Sequence, residues 1–97
     1  MRNVVVLAPA LLAACAAAPA QPPVHGEVQG HVCDAADTAR FIGQPATAET
    51  GTAILRATHS AIIRWVRPGM MITMEFSASR VTVRMDSEQK VIAINCG

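Results

Sequence analysis

The chain has 97 residues, enough for one small domain, and its eight Lys and Arg against seven Asp and Glu leave a net charge of +1. Without Arg2, which precedes an apolar amino-terminal run, the charges cancel. That balance excludes the electrostatic footprint of a nucleic-acid binder, or of a protein held to membranes by charge alone.

The apolar run from Val4 to Ala14 reads as a secretory signal over residues 1–14, too short and wrongly flanked to remain as a membrane span. It ends "LLAAC", in which Leu12, Ala13, Ala14 and Cys15 resemble the lipobox of bacterial lipoproteins. There, cleavage before the cysteine leaves a diacylglycerol on its sulfur. The resemblance implies a lipidated Cys15 and a lipid anchor in a bacterial cell envelope. Ala16 lacks the acidic retention signal of inner-membrane lipoproteins, which points to the outer membrane, facing the periplasm. The alternative is ordinary cleavage after "APA" at 18–20, giving a soluble periplasmic or secreted protein. If Cys15 carries lipid, Cys33 and Cys96 remain as an even pair in an oxidising compartment. A bridge closing so long a loop contributes about 4 kcal/mol in the chain-entropy model, a large share for so small a domain. Two free buried thiols are the other reading.

Residues 15–30 follow the signal; from Ala16 on they read "AAAPAQPPVHGEVQG", dominated by Ala, Pro and Gly without apolar period, which is the composition of a flexible tether. The domain is expected over 31–97. Asp34 can cap a short helix ending at Phe41, stopped by Gly43 and Pro45. Thr47 can cap a second helix over 47–58, with Ala53, Ile54 and Ala57 as its apolar stripe and Gly51 weakening it. "IIRWV" at 62–66 has strand composition and stops at Pro68 and Gly69. From 80 to 86 the alternation sets Val81, Val83 and Met85 on one face, and Arg80, Thr82 and Arg84 on the other. A turn at 87–89 leads to a last strand at 91–95. The fold class is α+β: one or two helices packed on a small mixed sheet.

Between the first two strands lies "PGMMITMEF". As a strand, 72–76 would turn Ile72, Met74 and Phe76 to one face and Thr73 and Glu75 to the other. As a loop, it would present apolar side chains to a partner. The following Ser-Ala-Ser is a poor hairpin turn, and composition leaves the choice open.

"GMMITMEFSASRVTVRMD" resembles the reactive-loop region of the potato inhibitor I family of serine-protease inhibitors. With "CDAADTARFIGQ" at the start and "INCG" at the end, the sequence is closer still to a related bacterial and fungal inhibitor family, typified by a fungal elastase inhibitor. The resemblance covers 33–97. It implies a long exposed reactive loop between two parallel strands, since a parallel connection cannot be a tight hairpin, and a bracing terminal disulfide. It also implies that Met74 is the primary-specificity residue and Met74–Glu75 the scissile bond, with Thr73 and Phe76 beside them. Arg80 is implied as a brace reaching back toward Thr73 and Glu75. A second arginine brace found in plant members is Thr82 here, so rigidity is expected to rest on Arg80 and the Cys33–Cys96 bridge. The implied partner is a serine protease of elastase, chymotrypsin or subtilisin type, met by a monomer.

Nothing in the sequence reads as an enzyme: His25, His31 and His59 stand in no nucleophile or acid–base setting. They also make no metal motif, so neither metal nor cofactor is expected. The rival reading is a surface lipoprotein that keeps this fold as a binding or structural module without inhibiting anything.

Overall fold

The computed structural model describes residues 26–97. The signal segment, Cys15 and the first part of the expected tether lie outside the described residues. In order, the elements are a 3-10 turn at Ala39–Phe41, helix α1 at Ala48–Thr58, and strands β1 (Ile62–Val66), β2 (Arg80–Met85) and β3 (Val91–Cys96). One sheet orders them β1-β2-β3. β1 runs parallel to β2, pairing Ile62 with Arg80 and Arg64 with Thr82. β3 returns antiparallel, with Val81 opposite Cys96. The domain is therefore α+β, with one helix and a three-stranded mixed sheet.

The helix expected from Asp34 shrinks to the 3-10 turn. Local bonds take the groups a helix would use: Asp34 Oδ1 accepts from the Ala36 N–H, and the Thr38 hydroxyl donates to the Ala35 carbonyl. The Asp34 N–H is itself committed to the Thr58 carbonyl, which ties this segment to the end of α1.

Helix α1 starts as its sequence predicts, with the Thr47 side chain accepting from the Thr50 N–H. It stops at His59, which is left-handed at φ 59°. The His59 N–H bonds to the Arg56 carbonyl and the Ser60 N–H to Leu55, the paired bonds of a Schellman end. Its inward face keeps Ile54 and Ala57 of the expected stripe but not Ala53. Ile54 is fully buried beside Thr50, Gly51 and Thr58, while Ala53 faces out. Thr58 is tolerable there because its hydroxyl donates back to the Ile54 carbonyl. Gly51 is the contact residue against β1: a Cβ there would stand 2.9 Å from the Trp65 ring. The helix accepts a propensity cost of about 1 kcal/mol to bring its backbone this close to the sheet.

Phe41, Ile54, Val81, Val83, Val91 and Ile94 form the core, flanked by Ile63, Trp65, Leu55, Ala57 and Cys33. Burying each large apolar side chain contributes about 1.5–3 kcal/mol before chain entropy is set against it. Asp86 builds the β2–β3 turn by accepting from the N–H groups of Glu88 and Lys90. The Cys33–Cys96 disulfide joins residues 63 apart in sequence, linking the segment before the 3-10 turn to the end of β3.

Candidate functional site

The parallel pairing of β1 with β2 forces the chain across residues 67–79, and that crossing is the loop on which the sequence left two readings. No strand forms there. Pro68 and a left-handed Gly69 (φ 75°) turn the chain away from β1, with the Met70 N–H closing on the Arg67 carbonyl. From there the side chains point to solvent: Met71 is 92% and Met74 93% exposed, with Thr73, Glu75 and Phe76 exposed as well. Among the described residues, no backbone–backbone hydrogen bond ties 71–76 to anything. That stretch must be held by side chains.

Arg80, at the start of β2, holds it. Its Nη2 donates to the Glu75 carbonyl at 3.0 Å and its Nε to the Gly97 oxygen at 3.0 Å. Its acceptor in the loop is the Glu75 backbone carbonyl, neither Thr73 nor the Glu75 carboxylate, while Nε turns to Gly97 just beyond β3. Gly97 is fixed from three sides. Its N–H donates to the Arg80 carbonyl at 2.8 Å, and its oxygen also accepts from the Thr82 hydroxyl at 2.7 Å. Its φ of 118° is one that side chains rarely adopt, and a Cβ there would sit 3.0 Å from the Phe76 ring. Phe76 thus rests on a residue that has to be glycine.

Thr82, read from sequence as a missing second arginine, donates to Gly97 and accepts from Arg64 Nε at 3.1 Å. The second guanidinium comes instead from β1, whose Arg64 is the registered neighbour of Thr82. Burial lowers the Arg64 pKa and the neighbouring Arg80 charge lowers it further; the Glu75 carboxylate pulls the other way, and Arg84 adds the smallest lowering. A continuous line of bonds therefore runs Arg64, Thr82, Gly97, Arg80, Glu75. Sequence reading found its last two members. The others became visible only through the strand register, although the "INCG" ending marked Gly97.

Among the described residues, no three His, Cys, Asp or Glu side chains are placed to hold a metal. His31 and His59 meet through ring Nδ1 and backbone carbonyl, 3.2 Å apart, away from the loop. What the arrangement can do is offer an extended, exposed peptide segment in a fixed shape.

Comparison with known proteins gives that shape a context. The model of the peptidase inhibitor I78 family matches residues 33–97. The elastase inhibitor AFLEI of Aspergillus flavus is 40% identical over 56 residues, covering 58% of this chain and 76% of that protein. The elastase inhibitor AFUEI of Aspergillus fumigatus is also 40% identical over 56 residues, which make up 60% of its length. The crystal structure of AFUEI matches with a TM-score of 0.50 and 37% identity, covering 61% of this chain and 81% of that one. These matches overturn the location drawn from the lipobox resemblance. The relatives are fungal elastase inhibitors and not bacterial envelope lipoproteins. The location in a bacterial outer membrane, drawn from the lipobox resemblance, therefore does not hold.

Proposed function

The chain belongs to the peptidase inhibitor I78 family, and on that footing we propose that it inhibits serine proteases of the elastase, chymotrypsin or subtilisin type through its 67–79 loop. Residues 73–76 enter the protease cleft as a substrate would, with Met74 in the specificity pocket and Met74–Glu75 as the bond presented. The observation that supports this reading is the placing of Met74: it is 93% exposed, and the carbonyl of the next residue is clamped by Arg80. A loop already in its docking shape loses little entropy on binding. The unbranched thioether of Met74 gains about 1.5–3 kcal/mol by leaving water for an apolar pocket. Trypsin-type pockets, which want a cation, gain nothing from it.

The test is a set of inhibition constants for the purified protein against pancreatic elastase, chymotrypsin, subtilisin and trypsin. One-to-one inhibition of at least one of the first three, with trypsin spared, is the expected result. Inhibition of none of them defeats the proposal.

Arg80 gives a second expectation. Arg80→Ala removes one charge-assisted bond to the loop and one to Gly97, each worth about 1.5–3 kcal/mol. Gly97 keeps its bond from Thr82, and Val81 and Val83 stay buried, so circular dichroism should match wild type. Inhibition should weaken by roughly 10- to 100-fold, the equivalent of one such bond, while cleavage at Met74–Glu75 accelerates. Arg80→Lys should recover part of this, since one ammonium cannot serve both acceptors in the planar geometry of the fork. A folded Arg80→Ala protein that inhibits and resists cleavage like wild type would remove Arg80 from its role.

A further inference from the structure

The leg that carries the loop into β2 is Ser77, Ala78 and Ser79, three consecutive buried residues. Their partners come from a stretch whose composition reads as tether. The Gly26 carbonyl accepts from the Ser77 hydroxyl at 3.1 Å and from the Ser79 N–H at 3.2 Å. The Val28 N–H donates to the Ser79 hydroxyl, which in turn faces the Val28 carbonyl at 3.3 Å. The chain then turns, with the His31 N–H closing on the Val28 carbonyl, and the Cys33 N–H donates to the Ala78 carbonyl at 2.9 Å. Each of the three leg residues is therefore gripped from the amino-terminal side. Gly26 is fitted to the task twice over. Its φ is 72°, and a Cβ there would lie 2.3 Å from the Ser77 hydroxyl oxygen and 2.8 Å from the Ser77 Cβ.

We infer that residues 26–31 form a strap that positions the carboxyl-side leg of the loop and keeps a cleaved loop competent to reclose. The inference rests on the inhibitory reading given above. In that reading the protease serine hydroxyl adds to the Met74 carbonyl and the C–N bond to Glu75 breaks. An acyl ester forms on Met74, and Glu75 departs as a free amine carrying the proton. Attack of that amine on the ester restores the peptide bond and frees the serine hydroxyl; attack by water ends in a cut loop. Which attack wins depends on how closely the amine is held to the ester. Arg80 grips the Glu75 carbonyl, but two residues later the chain depends on the leg, and the strap holds the leg. None of residues 26–31 belongs to the hydrophobic core, so the strap can be released without unfolding the domain.

The experiment uses the full chain and its Gly26→Val and Ser79→Ala variants. The first denies the strap its backbone conformation and its space. The second deletes the hydroxyl that joins the strap to the leg. Each is assayed for inhibition of pancreatic elastase, for cleavage at Met74–Glu75 by mass spectrometry, and for hydrogen exchange at the Ser79 amide. Circular dichroism close to wild type is expected for both, with faster Ser79 exchange in Gly26→Val. Cleavage should be roughly 10-fold faster and inhibition about 10-fold weaker, the scale of one or two lost hydrogen bonds. Faster Ser79 exchange with unchanged cleavage and inhibition overturns the inference, and so does unchanged exchange in both variants. If wild type is cut without inhibiting, the inhibitory reading falls. The ratio of variant to wild-type cleavage rates still judges the strap, supporting it if raised and overturning it if not.

Discussion

Met74→Asp is expected to weaken inhibition of an elastase-type protease by at least about 100-fold, close to 3 kcal/mol. Two losses add. The apolar burial of the methionine, about 1.5–3 kcal/mol, disappears, and a carboxylate must be stripped of water in a pocket that offers it no partner. The free protein should not register the change. Met74 is 93% exposed, and surface substitutions away from structural features usually alter stability by less than about 0.5 kcal/mol. Met71, equally exposed but three residues earlier, is the internal control, and Met71→Asp should change inhibition by no more than a few-fold. Mild oxidation should act in the direction of Met74→Asp, because a sulfoxide makes the thioether polar. Inhibition constants and melting curves on the same preparations decide the matter. A folded Met74→Asp protein with wild-type inhibition would show that another residue fills the pocket.

The second large effect is expected from Cys33→Ala combined with Cys96→Ala. The bridge closes 63 residues, a span for which its removal costs about 4 kcal/mol in the chain-entropy model. Small domains have a total of only about 5–15 kcal/mol. The urea midpoint should fall sharply and the slope steepen, because the unbridged denatured chain exposes more surface. The loss should also reach the loop in molecules that stay folded. Cys33 is the residue whose N–H holds Ala78, and Cys96 precedes the glycine on which Phe76 rests. Inhibition should therefore fall by more than the unfolded fraction accounts for. An unchanged urea midpoint would mean that the bridge adds nothing to stability.

Strands β1 and β2 were legible because β-branched residues cluster in them and Pro68 with Gly69 halts the first. Helix α1 was legible from Thr47, whose side chain caps as its position predicts. The shape of the crossing came from the family resemblance; alternation alone allowed a strand over 72–76. The face of α1 was read correctly at Ile54 and Ala57 but not at Ala53, because Gly51 and the self-satisfied Thr58 go inward in its place. Asp34, read as a helix cap, closes a turn of its own with Ala36, and the Thr38 hydroxyl closes another on Ala35. The line from Arg64 through Thr82 to Gly97 joins residues that become neighbours only through the parallel register of β1 on β2 and the antiparallel register of β3 on β2, so no local pattern could show it. Gly26 is the hardest case. In sequence it is one more small residue of a linker, and its fit appears only once Ser77 is placed against it.

Apart from the Arg80–Glu75 bond and the turn at Arg67–Met70, the contacts that shape the loop are made across long stretches of chain. Gly26 meets Ser77, Cys33 meets Cys96, and Arg64 meets Thr82 by way of a parallel pairing. Contacts of this kind form late, because loop-closure entropy must be overcome before they can repay it. Helix α1 and the β2–β3 hairpin, built from near neighbours, can assemble first, while the methionine-rich crossing stays slack until the ends of the domain come together. During that interval, or in a chain whose cysteines are still reduced, the segment is an unstructured apolar peptide that a protease can cut without hindrance. The nascent protein is thus prey to the class of enzyme it is proposed to restrain. Refolding it beside such an enzyme should yield a cleaved fraction that grows as folding is slowed.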